Sequence, residues 1–90
     1  MDNQEKRFQD LISNKPRFFQ FMNERYPVFK NSNIFLRDIQ FAIRTYFERK
    51  NVVLSYSQSE ELMERLTSAM ENEKELVKLS NNAWKVNFNL

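Results

Sequence analysis

The chain has 90 residues and a net charge of +2 at neutral pH, and 41% of its residues are hydrophobic. Its nine Phe, three Tyr and one Trp can fill one small core, which predicts a single domain over residues 1–90. The absence of His, Gly and Cys removes the commonest general base, thiol nucleophiles and phosphate-binding glycine loops, so we expect no enzyme activity, no cofactor and no metal ion.

The first predicted element is a helix over residues 3–25. Its apolar residues lie within a stripe about 120° wide, as on one face of an amphipathic helix. They are Phe8, Leu11, Ile12, Phe18, Phe19, Met22 and Tyr26. Because the apolar stripe keeps its phase across Pro16, the segment is either one helix bent there or two nearly collinear helices with Asn14 as the second N-cap. Residues 26–29, with Pro27, are predicted to be extended.

A second helix is predicted over about residues 34–50, with its N-cap among residues 31–33. Its apolar stripe consists of Phe35, Leu36, Ile39, Ala42, Ile43, Tyr46 and Phe47. A short β-prone connector follows at residues 52–56. Ser57 and Glu60 then form a capping-box pattern that opens a third helix over about residues 58–73. Its inward residues are predicted to be Leu62, Leu66, Ala69 and Met70.

The C-terminal segment, about residues 76–89, predicts a β-hairpin with Asn81 and Asn82 at the centre of a type I′ turn. The predicted facing pairs are Ser80 with Ala83, Leu79 with Trp84, Lys78 with Lys85, and Val77 with Val86. This register puts the apolar residues opposite one another on the same side of the ribbon. We interpret Trp84 as a core residue that closes the domain.

Without Gly, the left-handed backbone positions of the turns must fall to other residues, and Asn tolerates that conformation best. Eleven Asn are present, several of them at predicted boundaries. These are Asn14, Asn31, Asn33, Asn51, Asn72, Asn81 and Asn82. The alternative is a compositional bias that has no structural meaning.

The elements together predict a mainly α fold, a three-helix domain closed by a C-terminal β-hairpin. Three helices followed by a two-stranded ribbon resemble the winged-helix arrangement in the order of their elements. The resemblance would imply a DNA-reading third helix, but residues 57–75 carry six Glu against Arg65 and Lys74. Because DNA binding draws most of its affinity from Lys and Arg on phosphates, this acidic helix argues against that mode. We interpret it as a solvated face, with an acidic docking face for a basic partner as the alternative.

The basic charge lies in residues 1–50, which carry ten Lys and Arg against six Asp and Glu. Within this half, two Phe residues stand outside the apolar stripes of their helices and between arginines. The first group is Arg17, Phe21 and Arg25, and the second is Arg37, Phe41 and Arg44. Three interpretations stay open: rings that pack internally under arginine stems, a protein interface, or a nucleic-acid surface.

We expect a small, non-catalytic, cytoplasmic interaction module, an adaptor, regulator or inhibitor, that binds a protein partner through this Arg/Phe surface. Self-association through the same surface is an alternative. A second alternative is a winged-helix-like nucleic-acid-binding protein whose phosphate contacts include Lys78 and Lys85. No membrane role is expected, because there is no long apolar run and the first ten residues, MDNQEKRFQD, are too polar for a signal peptide.

Overall fold

The structure is a computed structural model that describes residues 3–90 of the chain. Its elements are α1 (Asn3–Ser13), α2 (Lys15–Asn23), β1 (Asn33–Phe35), α3 (Leu36–Glu48), α4 (Tyr56–Asn72), β2 (Leu76–Ser80) and β3 (Ala83–Val86). The described residues are 57% helical, and their strands form an antiparallel sheet in the order β1-β3-β2. The predicted mainly α fold with a C-terminal hairpin is confirmed. The first two residues of the predicted domain over 1–90 lie outside the described residues.

The first predicted helix is two helices that meet at Asn14. Asn14 occupies the N-cap position of α2 and Pro16 follows within its first turn, where the missing N–H group costs nothing. The side chain of Asn14 does not cap α2. Its amide instead donates back to the backbone carbonyl of Asp10 at 2.9 Å and to the Asp10 carboxylate at 2.8 Å. The break therefore comes from Pro16 and from this backward hydrogen bond.

The start predicted for the second helix, at about residue 34, is wrong. Residues 33–35 form β1, and Ile34 pairs with Trp84 of β3. α3 begins at Leu36, with Phe35 at its N-cap position and no side-chain cap. The backbone N–H of Leu36 finds its acceptor in the carbonyl of Asn82, 2.9 Å away in the hairpin turn. A long-range backbone partner thus replaces the cap predicted among residues 31–33.

The capping box of α4 lies two residues earlier than predicted. The hydroxyl of Ser55 accepts from the backbone N–H of Gln58 at 3.2 Å, and the Gln58 side chain accepts from the N–H of Ser55 at 2.9 Å. Ser57 and Glu60 have the same spacing but stand inside the first turn and a half of the helix. Residues 52–55 connect α3 to α4 without forming a strand, and Tyr56, predicted in this connector, is the first residue of α4.

The hairpin turns at Asn81 and Asn82 as predicted, but its register differs beyond the first pair. Ser80 faces Ala83, and a bulge between Lys78 and Ser80 then sets Lys78 opposite Trp84, Val77 opposite Lys85 and Leu76 opposite Val86. The predicted pairs of Leu79 with Trp84, Lys78 with Lys85 and Val77 with Val86 are wrong. The slip buries Leu76 against Val86 and leaves Val77 and Leu79 exposed.

The turn itself is not type I′, because neither Asn81 nor Asn82 has a positive φ. Among residues 3–90 the positive φ angles are those of Asn31 (73°), Asn51 (63°) and Lys74 (61°). Asn therefore takes two of these left-handed positions and Lys the third. Lys74 follows the end of α4, where its N–H donates to the carbonyl of Glu71 and the N–H of Glu75 to that of Met70. These two bonds form a Schellman motif, which ordinarily uses Gly at this position.

The core lies where the helices and the inner face of the sheet meet. α1 and α3 pack on α4, α2 packs on α3, and the start of β2 packs on the end of α4. Trp84 is buried there as predicted, and its indole N–H donates to the carboxylate of Glu71 at 2.8 Å. None of the helices described between residues 3 and 90 combines the length and the apolar character needed to cross a bilayer.

The capping assignment predicts that Ser55→Ala lowers the free energy of unfolding by about 1 kcal/mol, because the substitution removes the acceptor for the Gln58 N–H. The matched control is Ser57→Ala, which we expect to change it by less than about 0.5 kcal/mol. Urea denaturation of the two variants checks this. If Ser57→Ala lowered the free energy of unfolding more than Ser55→Ala, the N-cap would be Ser57, as the sequence pattern predicted.

The left-handed Lys74 predicts that Lys74→Gly raises the free energy of unfolding by about 0.5–1 kcal/mol, because the penalty of a Cβ in that conformation exceeds the entropy lost by Gly. Glu73→Gly, one residue earlier and in ordinary backbone conformation, should lower it instead. Thermal unfolding of both variants measures the two signs. A destabilised Lys74→Gly variant would contradict the Schellman end of α4.

Candidate protein-binding surface

Phe21 and Phe41, predicted as separate features of two helices, line one groove between α2 and α3. We call it the α2–α3 groove. Its volume is about 220 Å³ and its walls also include Met22, Tyr26 and Ala42. The core residues of α2 are Phe18, Phe19 and Met22, and those of α3 include Ile39, Ala42, Ile43, Tyr46 and Phe47. Because these residues face the interior, Phe21 and Phe41 stand at the facing edges of the two helices.

The two rings differ in burial. Phe41 is 39% exposed and makes an edge-on contact with Tyr26, with ring centroids 6.5 Å apart. Phe21 is half-buried, packs against the core, and lies 5.9 Å from the ring of Tyr46. The prediction that both rings stand outside the interior therefore fits Phe41 better than Phe21. For Phe21, internal packing under an arginine describes the contacts more fully.

The arginines stack across the groove rather than along their own helices. The guanidinium of Arg25, on the segment after α2, lies 4.8 Å above the ring of Phe41 and 5.7 Å from that of Tyr26. The guanidinium of Arg49, at the end of α3, lies 4.7 Å above Phe21. Arg17 is exposed on α2 and is not part of the groove lining. We expected each Phe to be flanked by the arginines of its own helix. Instead, an arginine that follows α2 lies over the Phe of α3, and an arginine that follows α3 lies over the Phe of α2.

Arg49 was not among the predicted site residues. It follows Phe41 by eight residues, so Phe41, Thr45 and Arg49 lie along one side of α3. Its role depends on the packing of α2 against that side. An i, i+4, i+8 search from Phe41 would have found it, as the same spacing found Arg17 and Arg25 around Phe21.

Arg37 and Arg44 lie on the other side of Phe41. Together with Gln40, Phe41 and Tyr56 they line a second depression of about 250 Å³. Tyr56, the first residue of α4, is 66% exposed, and the sequence pattern gave it no role beyond the connector. Phe41 therefore forms a shared wall between the α2–α3 groove and this depression. Five predicted residues line this continuous surface, namely Phe21, Arg25, Arg37, Phe41 and Arg44.

A third depression adjoins the groove at Met22 and Tyr26, which line both. Its lining includes Phe29 and Phe35, which are 59% and 50% exposed. Phe35 was predicted to be buried in the stripe of the second helix, and that prediction is wrong. It ends β1 instead, where it points away from the buried side of Ile34 because successive strand residues alternate faces.

We refer to the whole as the aromatic face. It consists of Tyr26, Phe29, Phe35, Phe41 and Tyr56, with Arg25, Arg37, Arg44 and Arg49. A contiguous exposed apolar surface is unusual on a small protein that acts alone, and it ordinarily marks a contact site. Tyr, Phe and Arg are also the residue types that interfaces concentrate.

The four arginines of the aromatic face form no ion pair with a carboxylate in the described part of the chain. The ion pairs there are Lys15–Glu75, Lys50–Asp10 and Arg65–Glu5, all outside the face. The acids that line the depressions are Glu24, in the groove, and Asp38, in the third depression. Four positive against two negative side chains leave the lining of the three depressions with a surplus of +2.

A hydrogen-bond network fixes the end of α3, from which Arg49 reaches over the groove. The Lys50 ammonium donates to the Asp10 carboxylate of α1 at 2.9 Å and to the hydroxyl of Tyr46 at 3.2 Å. The bond to Asp10 raises the pKa of Lys50 above its ordinary value of 10.5, partial burial opposes this, and the bond to Tyr46 adds to it. Lys50 thus remains charged at any physiological pH and holds α1 to α3.

Lys78 and Lys85 do not form the cross-strand pair predicted for phosphate binding. Lys78 faces Trp84 on the side of the sheet that carries α4, in a depression that also contains Glu64 and Glu71. Lys85 faces Val77 and is exposed. Since Lys85 alternates with the buried Trp84 and Val86, it lies on the opposite face of the sheet from Lys78. The two ammonium groups therefore cannot grip one phosphate together.

No protein-family model, curated protein or solved structure matches this chain. Among residues 3–90, no three His, Cys, Asp or Glu side chains are grouped as a metal site would require. The aromatic face is consequently interpreted from its own chemistry.

The difference in burial between the two rings predicts different costs of removal. Phe41→Ser should lower the free energy of unfolding by about 1–2 kcal/mol, because 39% of the residue is already in contact with water. Phe21→Ser should lower it by about 2 kcal/mol or more, since the ring covers the core beside Tyr46. Guanidinium denaturation of both variants compares the costs. Equal costs would mean that Phe41 belongs to the core and offers no contact surface.

Proposed function

We propose that this chain is a small non-catalytic protein-interaction module, an adaptor, regulator or inhibitor, that binds a protein partner through the aromatic face. One observation carries the proposal. Phe41 is 39% exposed, the guanidinium of Arg25 lies over its ring, and its side chain forms the wall between two depressions lined by further aromatic and arginine side chains. Such a surface combines apolar area with directional hydrogen-bond donors, as binding hot spots do.

The energetics of burial support this use of the surface. A Phe or Tyr side chain has about 200 Å² of surface, so covering its exposed part in Phe29, Phe35, Phe41 or Tyr56 would contribute roughly 2–3 kcal/mol each before the cost of association. Two or three such rings would together contribute roughly 4–9 kcal/mol, so micromolar binding, about −8 kcal/mol after the cost of association, also needs the apolar surface that the partner buries. The arginines would add orientation and association rate more than affinity.

Self-association through the aromatic face is the weaker form of the proposal. In a two-fold symmetric dimer each patch meets its own copy. Four arginines of one protomer would then face four of the other, and like charges brought together without partners oppose association. A separate protein of complementary charge fits the surface better.

The nucleic-acid alternative shares the same residue types, because arginines hold phosphates and aromatic rings stack on unpaired bases. Against it stand the acidic outer face of α4 and the separation of Lys78 from Lys85 on opposite faces of the sheet. The experiment must nevertheless separate the two classes of partner.

Photo-crosslinking in cells that naturally make the protein tests the proposal. A benzoylphenylalanine placed at Phe41 should crosslink to one or a few proteins, and the same group at Val53 should not. Val53 is a matched control because it is 81% exposed and lies outside the aromatic face. The crosslinks at position 41 should weaken when Arg44→Glu is added, since that residue borders the second depression.

Titration of labelled single- and double-stranded oligonucleotides at low and at physiological ionic strength completes this test. A protein-binding module should show no binding at low salt. Binding that weakens log-linearly with salt, together with the absence of position-specific protein crosslinks, would overturn the proposal in favour of a phosphate-binding surface.

A further inference from the structure

We propose, resting on the function above, that the aromatic face recognises an acidic peptide segment of its partner, one that carries large apolar side chains among its Asp and Glu residues. The argument depends on how the depressions adjoin, how the guanidinium groups are held, and what the rest of the chain can offer to the same surface.

The three depressions are neighbours with common walls. Phe41 separates the α2–α3 groove from the depression that contains Arg37, Arg44 and Tyr56. Tyr26 and Met22 separate the same groove from the depression that contains Phe29 and Phe35. A single continuous segment can therefore reach all three. At about 220 Å³ the central groove is smaller than the roughly 300–1,000 Å³ usual for small-molecule sites, so it suits one large side chain.

The stacked arginines are prepared for carboxylates. Arg25 lies over Phe41 and Arg49 over Phe21, at 4.8 and 4.7 Å from the ring centroids. A guanidinium whose flat face rests on a ring keeps N–H donors along its edge, and that edge matches a carboxylate in a two-bond geometry. Because the stacking already restricts each side chain, binding a carboxylate would cost less conformational entropy than it would for a free arginine.

The positive charge of the aromatic face favours a bound segment with a negative net charge. Arg25, Arg37, Arg44 and Arg49 have no carboxylate partner within residues 3–90, and Glu24 and Asp38 are the acids among the lining residues of the depressions. A neutral or basic segment would leave these arginines desolvated and unpaired at the contact, which is unfavourable. An acidic segment pairs them.

The described part of this chain does not itself contain a suitable segment, which disfavours a second copy as the occupant. The acidic outer face of α4 exposes Glu61 and Glu64 but no large apolar side chain beyond Tyr56, which already belongs to the aromatic face. The exposed apolar residues elsewhere are Val53, Val77, Leu79 and Leu90. Val77 and Leu79 flank Lys78, and no acid neighbours the other two in sequence. Within residues 3–90 no exposed segment meets the acidic and apolar requirements together, which favours another protein as the occupant.

A peptide selection tests the inference without knowledge of the partner. The full chain, immobilised, is presented with a displayed library of random 16-residue peptides, and bound clones are competed with Phe41→Ser protein to discard those that bind elsewhere. The clones that depend on Phe41 should be net negative and should contain Leu, Ile, Phe or Trp. Enrichment of neutral or basic clones, or no clones that depend on Phe41, would overturn the inference.

Fluorescence anisotropy of the leading synthetic peptide supplies the quantitative readout. We expect the Kd to rise at least about tenfold for Phe41→Ser and for the double variant Arg25→Gln with Arg44→Gln, as loss of a hot-spot contact does. The matched controls Val53→Ser and Lys6→Gln, at exposed positions away from the face, should change it less than about twofold. Replacing every Glu and Asp of the peptide by Gln and Asn should also weaken binding about tenfold or more.

Equal losses in the control variants, or full affinity of the uncharged peptide, would overturn the inference. These outcomes are distinct from failure of the proposed function. Protein crosslinks at position 41 together with neutral selected peptides would leave the interaction module standing and remove only its acidic partner. The absence of protein crosslinks at that position would remove both.

Discussion

Tyr46 holds the aromatic face in place, since its buried ring is the point where α2, α3 and α1 meet. The ring makes edge contacts with Phe18 of α2 at 5.4 Å, with Phe47 of α3 at 5.3 Å and with Phe21 at 5.9 Å. Its hydroxyl joins Lys50 and, at 3.4 Å, Asp10 of α1. Such edge-on aromatic pairs have a preferred geometry as well as buried area. The buried ring of Tyr46 therefore helps to fix the distance between α2 and α3. That distance determines the width of the groove between Phe21 and Phe41.

The parts of the fold that depend on local pattern could be predicted from the sequence. The amphipathic stripes located the helices, the Asn81-Asn82 turn located the hairpin, and Asn31 and Asn51 took left-handed positions as expected. The failures share a different cause. β1 exists because Ile34 pairs with Trp84, fifty residues later, and no local pattern in three residues records such a partner. The cap of α4 was ambiguous because Ser55 and Ser57 both have a suitable partner three residues on, and the helix begins after Ser55.

The residues of the aromatic face could likewise be predicted only in part from the sequence. The position of Phe41 outside the apolar stripe already separated it from the core, and its 39% exposure agrees with that. The exchange of arginines between helices was not predictable, because it requires the distance and angle at which α2 packs on α3. Phe29, Phe35 and Tyr56 were missed for a related reason. Phe35 ends β1, Tyr56 begins α4, and Phe29 lies in the loop between α2 and β1, so periodicity gives no direction at any of the three.

The distribution of charge favours the aromatic face over α4 as the proposed docking surface, although α4 and its C-terminal flank carry more formal charge. Much of that acid is used inside the molecule. Glu71 accepts from Trp84, Glu75 pairs with Lys15, and Glu61 accepts from Gln4. The arginines of the aromatic face have no such carboxylate partners in the described chain, and two of them, Arg25 and Arg49, rest on rings instead. An exposed pair between one of these arginines and a carboxylate of its own chain would add little stability. Left unpaired but ordered by stacking, the same arginines keep their donors for a contact that also buries Phe41, where exclusion of water makes each hydrogen bond count for more.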